Sequence, residues 1–398
     1  MPTPPDLREK SRALSDRLIA IRRDLHENPE LSFKEFRTAE MVARTLRDLG
    51  LEVKEKVGQT GVTALLKGGR PGPTIALRGD IDALPVCEEA AVPYKSKING
   101  VMHACGHDTH TACALGAAML LAEVKDELEG NVFFIFEPAE EINRGAAALL
   151  AEGVMDDPKV DMIFGIHCHP EVPAGKMGVK EGYLMAAVDT TRFKITGKGG
   201  HGGLPHRDID PIVAAASVIM NVQTIVSRNV PPLNPAVVSF GSIHGGQANN
   251  VIPDYVELSG TVRTYDNETR DLIEKRLREV VETTAAALGC KGELSYEREF
   301  SAVNNDPRAT ELARAAVEQI GGEGTSVVPT PSTGGEDFAM YLEKAPGCFL
   351  WLGIGNPEIG AMHPWHSPLF VADDSCLWLG AGSMAQAAVN AMAALKTV

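Results

Sequence analysis

The segment 103–110 concentrates side chains that can bind a metal ion. It reads His-Ala-Cys-Gly-His-Asp-Thr-His, so three imidazoles, one thiol and one carboxylate lie within eight residues. Thiolate and neutral imidazole are ligands that borderline transition metals prefer. Gly106 allows the backbone between Cys105 and His107 to bend, so that both side chains can reach one centre. The alternative is the polar, capped start of a helix with one buried cysteine.

Acidic and imidazole side chains also follow three short apolar runs. Residues 74–77, 131–136 and 161–166 each read as a buried β-strand. The first run leads into Arg-Gly-Asp-Ile-Asp, the second into Glu-Pro-Ala-Glu-Glu and the third into His-Cys-His. In open α/β sheets, ligands bind beyond the carboxyl ends of the strands. We therefore expect these side chains to converge with the segment 103–110, which favours a metal site over a capped helix.

Length and composition narrow the class of protein. The chain has 398 residues, of which 44% are hydrophobic and 23% charged, as in a globular protein of two domains. Its formal net charge of −15 disfavours nucleic acid and anionic membranes as partners, and an anionic substrate would need local cations. No run approaches the ~18 apolar residues of a membrane span, and the start lacks a signal-peptide pattern. Seven scattered cysteines indicate a reducing, cytoplasmic location; apart from Cys105 they are expected in the core.

Two different patterns divide the chain. From 52 to 182, strand-like runs alternate with helical patterns, which predicts βαβ units and a mainly parallel central sheet flanked by helices. Residues 187–304 read instead as β-α-β-β-α-β, the order of a ferredoxin-like α+β sandwich. The α/β pattern then resumes. We therefore predict a metal-binding α/β domain of residues 1–186 and 305–398, with residues 187–304 as an inserted domain.

The chain resembles a family of dinuclear metallohydrolases. The motifs that carry the resemblance lie at residues 26–32, 78–85, 102–108, 137–141, 165–167, 197–202, 250–253, 335–338 and 366–368. The family includes aminoacylase, bacterial carboxypeptidases and succinyl-diaminopimelate desuccinylase, and the resemblance is greatest to hippurate hydrolases, auxin-conjugate hydrolases and N-acyl-amino-acid amidohydrolases. Each motif is short, whereas the ordered set covers nearly the whole chain and is specific. The inserted domain would then be a dimerisation and lid domain.

The resemblance implies a site for two divalent metal ions. The implied ligands are Cys105, His107, Glu141, His167 and His366. Cys105 stands where the wider family has a metal-bridging aspartate, so a bridging thiolate is implied. Glu140 matches the catalytic base, and Asp82 would orient an imidazole. Asp80 stands at a histidine-ligand position of the wider family and is not assigned as a ligand. Zinc or manganese is expected, with cobalt and nickel as alternatives.

The resemblance also assigns residues of the inserted domain and its surroundings. His201, in a glycine-rich loop, matches a histidine that reaches the active site of a second subunit, so a homodimer, or a dimer of dimers, is expected. Asn250 and Arg263 match a pair that contacts the carboxylate of the substrate. Gly334 and Gly335 belong to the backbone turn that holds this carboxylate, and Gly335 replaces a more usual serine.

The expected reaction is metal-dependent hydrolysis of the amide bond of an N-acyl-L-amino acid, hippurate-like or N-acetylated, to a carboxylic acid and a free amino acid. Two close ions would acidify a shared water, and Glu140 would transfer its proton, while His201 would stabilise the oxyanion. One alternative is a dipeptidase or carboxypeptidase that uses the same site. Another is a non-catalytic metal-binding protein of this fold, but binding alone has no need of Glu140.

Overall fold

The computed structural model of the chain describes residues 7–395 and divides it into two compact units. The first unit comprises the chain up to Leu184, Asn304–Thr330 and the residues from Asp337 onward. The second unit comprises Met185–Val303 and Pro331–Glu336. These boundaries lie one or two residues from those of the predicted domains, and the short second segment of the second unit was not predicted.

The first unit begins with helices and then builds a sheet. Its elements up to residue 185 are α1 (Arg8–Ala13), α2 (Ser15–Glu27), α3 (Phe36–Asp48), β1 (Glu52–Val57), β2 (Gly61–Lys67), β3 (Arg70–Asp80), α4 (His107–Glu123), β4 (Glu129–Glu137), α5 (Gly145–Ala151), β5 (Met162–Pro173), β6 (Met177–Gly178) and β7 (Gly182–Met185). α2 ends just before Pro29, because a proline disfavours helical geometry in the residue before it. α4 is buried almost throughout and packs behind the metal-binding segment.

The second unit is a four-stranded antiparallel sheet with two helices. Its elements are β8 (Ala187–Thr196), β9 (Gly200–His201), α6 (Pro211–Arg228), β10 (Ala236–His244), β11 (Val251–Ile252), β12 (Tyr255–Thr264), α7 (Asn267–Ala287) and β13 (Lys291–Phe300). The strand order is β10-β12-β8-β13, and apolar side chains of α6 and α7 share one core with the sheet. This is the ferredoxin-like arrangement that the element order predicts.

The chain then completes the first unit. The remaining elements are β14 (Val303–Asn305), α8 (Pro307–Gly321), β15 (Ser326–Val327), α9 (Ala339–Leu342), β16 (Gly347–Gly355) and α10 (Leu377–Leu395). The large sheet has the order β1-β2-β4-β3-β5-β16-β6-β15. Its four central strands, β4, β3, β5 and β16, are parallel, whereas β2 and β6 pair with them antiparallel. The predicted α/β fold with a mainly parallel centre is confirmed.

One strand is longer than the sequence predicts. The run 161–166 was expected to end before His167, but β5 continues to Pro173. The reason is β16, which pairs in parallel with β5 through Trp351 opposite His167 and on to Gly355 opposite Pro173. His167 is therefore held by strand pairing rather than by a loop.

α6 corrects another expectation. The sequence was read as having no segment long and apolar enough to cross a membrane, yet this helix of 18 residues is one by length and composition. One face of α6 buries Val218 and Val222 in the core of the second unit, while Ile212, Val213 and Met220 are exposed. Both faces are thus apolar, and the burial of one face identifies α6 as a core helix of the second unit.

Candidate active site

The five predicted ligands come together in the first unit as two overlapping groups. Donor atoms of Cys105, His107 and His167 lie within 4.8 Å of one another, and so do those of Cys105, Glu141 and His366. The thiol of Cys105 therefore belongs to both groups. This is the arrangement expected of two cations that share one ligand.

The backbone at Gly106 allows this convergence. Gly106 has a φ of +88°, a left-handed conformation that favours glycine. A Cβ atom at this position would overlap the Sγ atom of Cys168. That thiol in turn donates to the carbonyl oxygen of Cys105 at 3.2 Å. Glycine is therefore required both for the turn between Cys105 and His107 and for the close approach of β5.

Hydrogen bonds turn the Nε2 atoms of two histidines toward the cluster. His107 Nδ1 lies 3.1 Å from a carboxyl oxygen of Asp82, and His167 Nδ1 lies 2.8 Å from the carbonyl oxygen of Cys168. Because both partners are acceptors, each Nδ1 carries a proton, and each Nε2 is the nitrogen that a metal ion would bind. His107 Nε2 and Glu141 Oε1 are buried without hydrogen-bond partners, 3.7 Å apart. A divalent cation would satisfy both atoms, so the residues fit a metal site.

The charge of the cluster also favours a cation. Burial opposes protonation of His107, but the carboxyl groups of Asp80 and Asp82 raise its pKa to about 10. Burial raises the pKa of Glu141 to about 7, although His107 opposes this shift. Burial, reinforced by Glu141, raises the pKa of the Cys105 thiol well above its usual range. The groups thus retain protons near neutral pH that a divalent cation would displace.

Asp82 organises the two adjacent glutamates. Its carboxyl oxygens accept the backbone N–H of Glu140 at 3.2 Å and that of Glu141 at 3.1 Å. The segment Glu140–Ile142 is a 3-10 turn, so consecutive side chains need not point apart as they do on an extended chain. Carboxyl oxygens of Glu140 and Glu141 lie 3.6 and 3.7 Å from His107 Nε2. The predicted base and the predicted ligand therefore face the same atom.

Asp80 has partners that explain its departure from the wider family. One carboxyl oxygen accepts from Arg78 Nη1 and the other from His110 Nδ1, each at 2.6 Å. His110 Nε2 accepts the backbone N–H of Cys168 at 2.7 Å. Asp80 thereby links the ends of β3, α4 and β5. Arg78 was missed as a site residue, although it stands inside one of the recognised motifs.

A second buried network supports the start of α4. Arg22 Nε lies 2.8 Å from a carboxyl oxygen of Asp108, which also lies 2.7 Å from His26 Nδ1. His26 Nε2 lies 3.2 Å from Glu88. Arg22 and His26 both belong to α2, so the network fixes α2 against the metal-binding segment. Sequence reasoning missed Arg22, because a charged residue on an amphipathic helix carries no signal of burial.

In the second unit, His201 and Asn250 lie on neighbouring segments. His201 in β9 pairs with Val251 in β11, the residue after Asn250. The Nδ1 atom of the exposed His201 accepts the backbone N–H of Gly203 at 2.9 Å. The proton of the neutral ring is therefore on Nε2, which makes this atom a hydrogen-bond donor toward solvent or a ligand.

Arg263 and Gly335 both adjoin Val188. Arg263 in β12 pairs directly with Val188 in β8, and a Cβ atom at Gly335 would overlap a methyl group of Val188. Val188 therefore occupies the space that a serine side chain would need at position 335. Gly334 is held beside the start of β8, because its carbonyl oxygen accepts the N–H of Ala186 at 2.9 Å.

Arg263 has no carboxylate partner in residues 7–395. Its Nη1 donates to the Val262 carbonyl oxygen at 3.1 Å and to the Thr261 hydroxyl. Burial lowers the pKa of Arg263, although Glu299 and Asp189 oppose the shift, so the guanidinium is partly desolvated. A half-buried cation without an ion pair can bind an anionic group.

A buried cluster of thiol, imidazole and carboxyl groups beside a further carboxyl defines a metal-assisted hydrolase. The pattern of Peptidase family M20/M25/M40 matches residues 76–390, and the chain belongs to this family. The predicted family, and with it the class of metal-dependent amidohydrolase, is confirmed.

Individual relatives extend over almost the whole chain. N-acetylcysteine deacetylase of Bacillus subtilis (strain 168) is 44% identical over 97% of this chain and 99% of its own length. Thermostable carboxypeptidase 2 of Saccharolobus solfataricus is 41% identical over 96% of this chain and 98% of its own. A solved structure of the Bacillus subtilis YXEP protein, described as a dinuclear metal binding peptidase from the M20 family, has a TM-score of 0.85 and 41% identity, and covers 97% of this chain and 100% of that chain.

Proposed function

We propose that the protein hydrolyses the amide bond of N-acyl-L-amino acids and releases a carboxylic acid and a free amino acid. The observation that carries this proposal is the position of Glu140, a further carboxyl 3.6 Å from His107 Nε2, beside two overlapping ligand groups that share Cys105. Metal binding alone would not require it. The similarity to a protein named for the deacetylation of N-acetylcysteine supports the substrate class.

Cys105, His107, Glu141, His167 and His366 would hold two divalent ions. The solved relative described as dinuclear supports the number of ions. A thiolate with imidazoles suits zinc best. Manganese is the second choice, because it prefers carboxylate ligands such as Glu141. Cobalt and nickel also bind imidazole. When bound, such ions acidify a water molecule and polarise the carbonyl group of the amide.

Glu140 would act as the general base and acid. Its carboxyl group takes a proton from the attacking water and delivers it to the departing nitrogen, a contribution typically of ~10²–10⁴ in rate. Asp82 would keep this carboxyl in place through the backbone N–H of Glu140, at 3.2 Å. Because Asp82 also bonds His107, one carboxyl group positions both the base and a metal ligand.

Residues of the second unit would bind the substrate's carboxylate. Arg263 supplies the cation that a chain of net charge −15 must place locally to hold an anion. Asn250 and the backbone N–H of Gly335 supply hydrogen-bond donors, whereas the N–H of Gly334 is bound to Ser332 Oγ at 3.1 Å and holds the turn. His201, with its proton on Nε2, would donate to the oxyanion that develops during attack.

A homodimer would bring His201 to the active site of the partner subunit. Two exposed features of the second unit support such a dimer: the edge strand β10 and the apolar side chains of α6, namely Ile212, Val213 and Met220. β10 and α6 are neighbours in the core of this unit, so a second copy could pair strand with strand and helix with helix.

A reducing compartment, the cytoplasm, is the proposed location. All seven cysteines are free thiols, which supports it. Five of the six cysteines predicted to lie in the core are buried, whereas Cys87 is exposed and so is not the core residue that the sequence suggested. Its place in the polar segment after Pro85, rather than in a strand or helix, accounts for the difference.

A panel of small amides tests the substrate class. Hippurate, N-acetyl-methionine, an indole-acetyl amino acid and a dipeptide would be incubated with the metal-loaded protein, and the released amine would be measured. We expect the N-acyl amino acids to be hydrolysed faster than the dipeptide. Similarity to a protein named as a carboxypeptidase makes peptide hydrolysis the second candidate, and a preference for the dipeptide would establish it instead.

A further inference from the structure

The carbonyl oxygen of Cys168 accepts hydrogen bonds from two side chains. His167 Nδ1 donates at 2.8 Å and Trp365 Nε1 donates at 2.9 Å. A carbonyl oxygen has two lone pairs, so both bonds can form at once. The N–H of Cys168 is bound to His110 Nε2 at 2.7 Å, which fixes the residue within β5. One anchored carbonyl group thus contacts the proposed ligand His167 and the residue directly before the proposed ligand His366.

The loop that carries His366 is held beside both neighbouring ligand segments. The backbone N–H of His366 donates at 2.8 Å to Ala104, the residue before Cys105. Trp365 donates to Cys168, the residue after His167. His366 itself has a φ of +63°, in the left-handed region that side chains rarely adopt. Two adjacent hydrogen bonds therefore hold this backbone conformation.

His366 depends on this anchoring because its own side chain is exposed. Its relative accessibility is 57%, whereas His107 is fully buried. Its Nε2 lies 3.4 Å from the carboxyl group of Glu141. An exposed side chain has few packing contacts to fix its rotamer, so its position follows the backbone that carries it.

Ring contacts fix the orientation of the indole of Trp365. Its ring centre lies 4.8 Å from that of His167 and 4.7 Å from that of His169, both edge-on. Trp351 stacks on His169 at 4.0 Å, and its ring centre lies 6.4 Å from that of Trp365. The Nε1 atom of Trp351 is buried without a hydrogen-bond partner. The two tryptophans thus share one aromatic cluster, but only the indole N–H of Trp365 donates a hydrogen bond.

We propose that Trp365 is a positioning residue that orients His167 and His366 together through the carbonyl group of Cys168. The inference rests on the proposed metal site and deepens it. Loss of the indole N–H would remove one of the two hydrogen bonds that hold the loop that carries His366, and one of the two that the carbonyl oxygen of Cys168 accepts. Groups that orient ligands in this way typically change metal affinity by ~10–100-fold when they are removed.

The test compares Trp365→Phe with Trp351→Phe. Both keep an aromatic ring in the same cluster, but only the first removes an indole hydrogen bond. Zinc affinity would be measured against a competing chelator, and cobalt-loaded protein would be examined by visible absorption for its thiolate and d–d bands. We expect Trp365→Phe to lower the affinity for one of the two ions by ~10–100-fold and to shift the cobalt bands. It should also lower kcat with little change in KM. Trp351→Phe should resemble the wild type in each measurement.

Two results would separate this inference from the proposed function. Equal metal affinity and equal cobalt spectra in both variants would overturn the role of Trp365 and leave the metal site intact. A wild-type protein that binds no divalent ion would instead overturn the proposed function. Each outcome is read from binding and spectra, so neither depends on the choice of substrate.

A measurement on the wild type guards against a Trp365 variant that does not fold. The chain has three tryptophans, so the indole N–H resonance of Trp365 can be assigned by elimination with Trp351→Phe and Trp378→Phe. We expect this proton to exchange slowly with solvent and its resonance to move when metal is added. Exchange at the rate of a free indole in metal-loaded protein would contradict the proposal.

Discussion

The carboxyl group of Asp82 lies 3.1 Å from Nδ1 of His107 and thereby decides which ring nitrogen faces the candidate metal site. The same carboxyl group accepts the backbone N–H groups of Glu140 and Glu141. Asp82 thus sets the geometry of the proposed base and of two proposed ligands. The roles of the two glutamates then become separable by mutation.

Glu140→Gln should keep the metal ions and lose activity by at least ~10², because it removes only proton transfer. Glu141→Gln is the matched control on the neighbouring residue, and it should lower metal occupancy instead. Turnover and metal content of the two purified variants would be measured together. A Glu140→Gln enzyme with nearly wild-type turnover would show that another group is the base.

Arg263→Ala should chiefly weaken substrates that have a free α-carboxylate. A hydrogen bond to a charged group contributes roughly 1.5–3 kcal/mol, which corresponds to about a 10–150-fold rise in KM. Hydrolysis of an N-acyl-amino acid would be compared with that of its carboxamide. The control is Arg192→Ala, because Arg192 lies on the same sheet but is paired with Glu297. It should change the hydrolysis of neither substrate. Unchanged selectivity in Arg263→Ala would place the carboxylate elsewhere.

His201→Ala should be folded, metal-loaded and nearly inactive. If His201 acts on the partner subunit, mixing this variant with inactive Glu140→Gln should restore activity, because one mixed site then pairs an intact Glu140 with an intact His201. Subunit exchange would be verified with chains that carry different tags. Verified heterodimers without activity would mean that His201 does not act in trans.

His103 should make the stability of the protein depend on pH. Both its ring nitrogens are buried without partners, and burial lowers its pKa to about 4, although Asp108 opposes the shift. Between about pH 4 and 6.5 the unfolded chain therefore binds a proton that the folded chain does not, so stability falls as the pH falls, by up to ~3 kcal/mol.

Denaturant unfolding at pH 4.5 and 7 would check this, with chelator in all samples so that metal loss does not contribute. His103→Gln should show a smaller loss of stability at the lower pH than the wild type. His244→Gln, which changes an exposed histidine, should behave as the wild type does. An equal loss in the wild type and in His103→Gln would contradict the buried, neutral state of His103.

Much of the site was predictable because its chemistry is concentrated in short motifs. Residue type and spacing indicate metal ligands in the segment around Cys105 and directly after two apolar runs. The strand order of the second unit likewise follows from the order of its elements. These features are local, or depend on rules that relate sequence order to topology.

What could not be predicted depends on contacts between distant segments. Strand β5 extends past His167 only because β16 pairs with it. Gly335 is a glycine because Val188, 147 positions away, fills the space beside it. The hydrogen bond from Trp365 to Cys168 joins residues 197 apart, and no pattern in either segment announces it. Side-chain orientation, unlike residue type, requires the fold.

Two divalent ions should bind at the groups that share Cys105, and the ion content of two cysteine variants tests this most directly. Cys168 is a buried neighbour of Cys105, so Cys168→Ala controls for loss of a thiol in the same place. Elemental analysis should find two ions per chain in the wild type and in Cys168→Ala. Cys105→Ala should contain fewer ions and should lose activity. A Cys105→Ala protein that keeps both ions, or a wild type that hydrolyses its substrate without metal, would contradict the account.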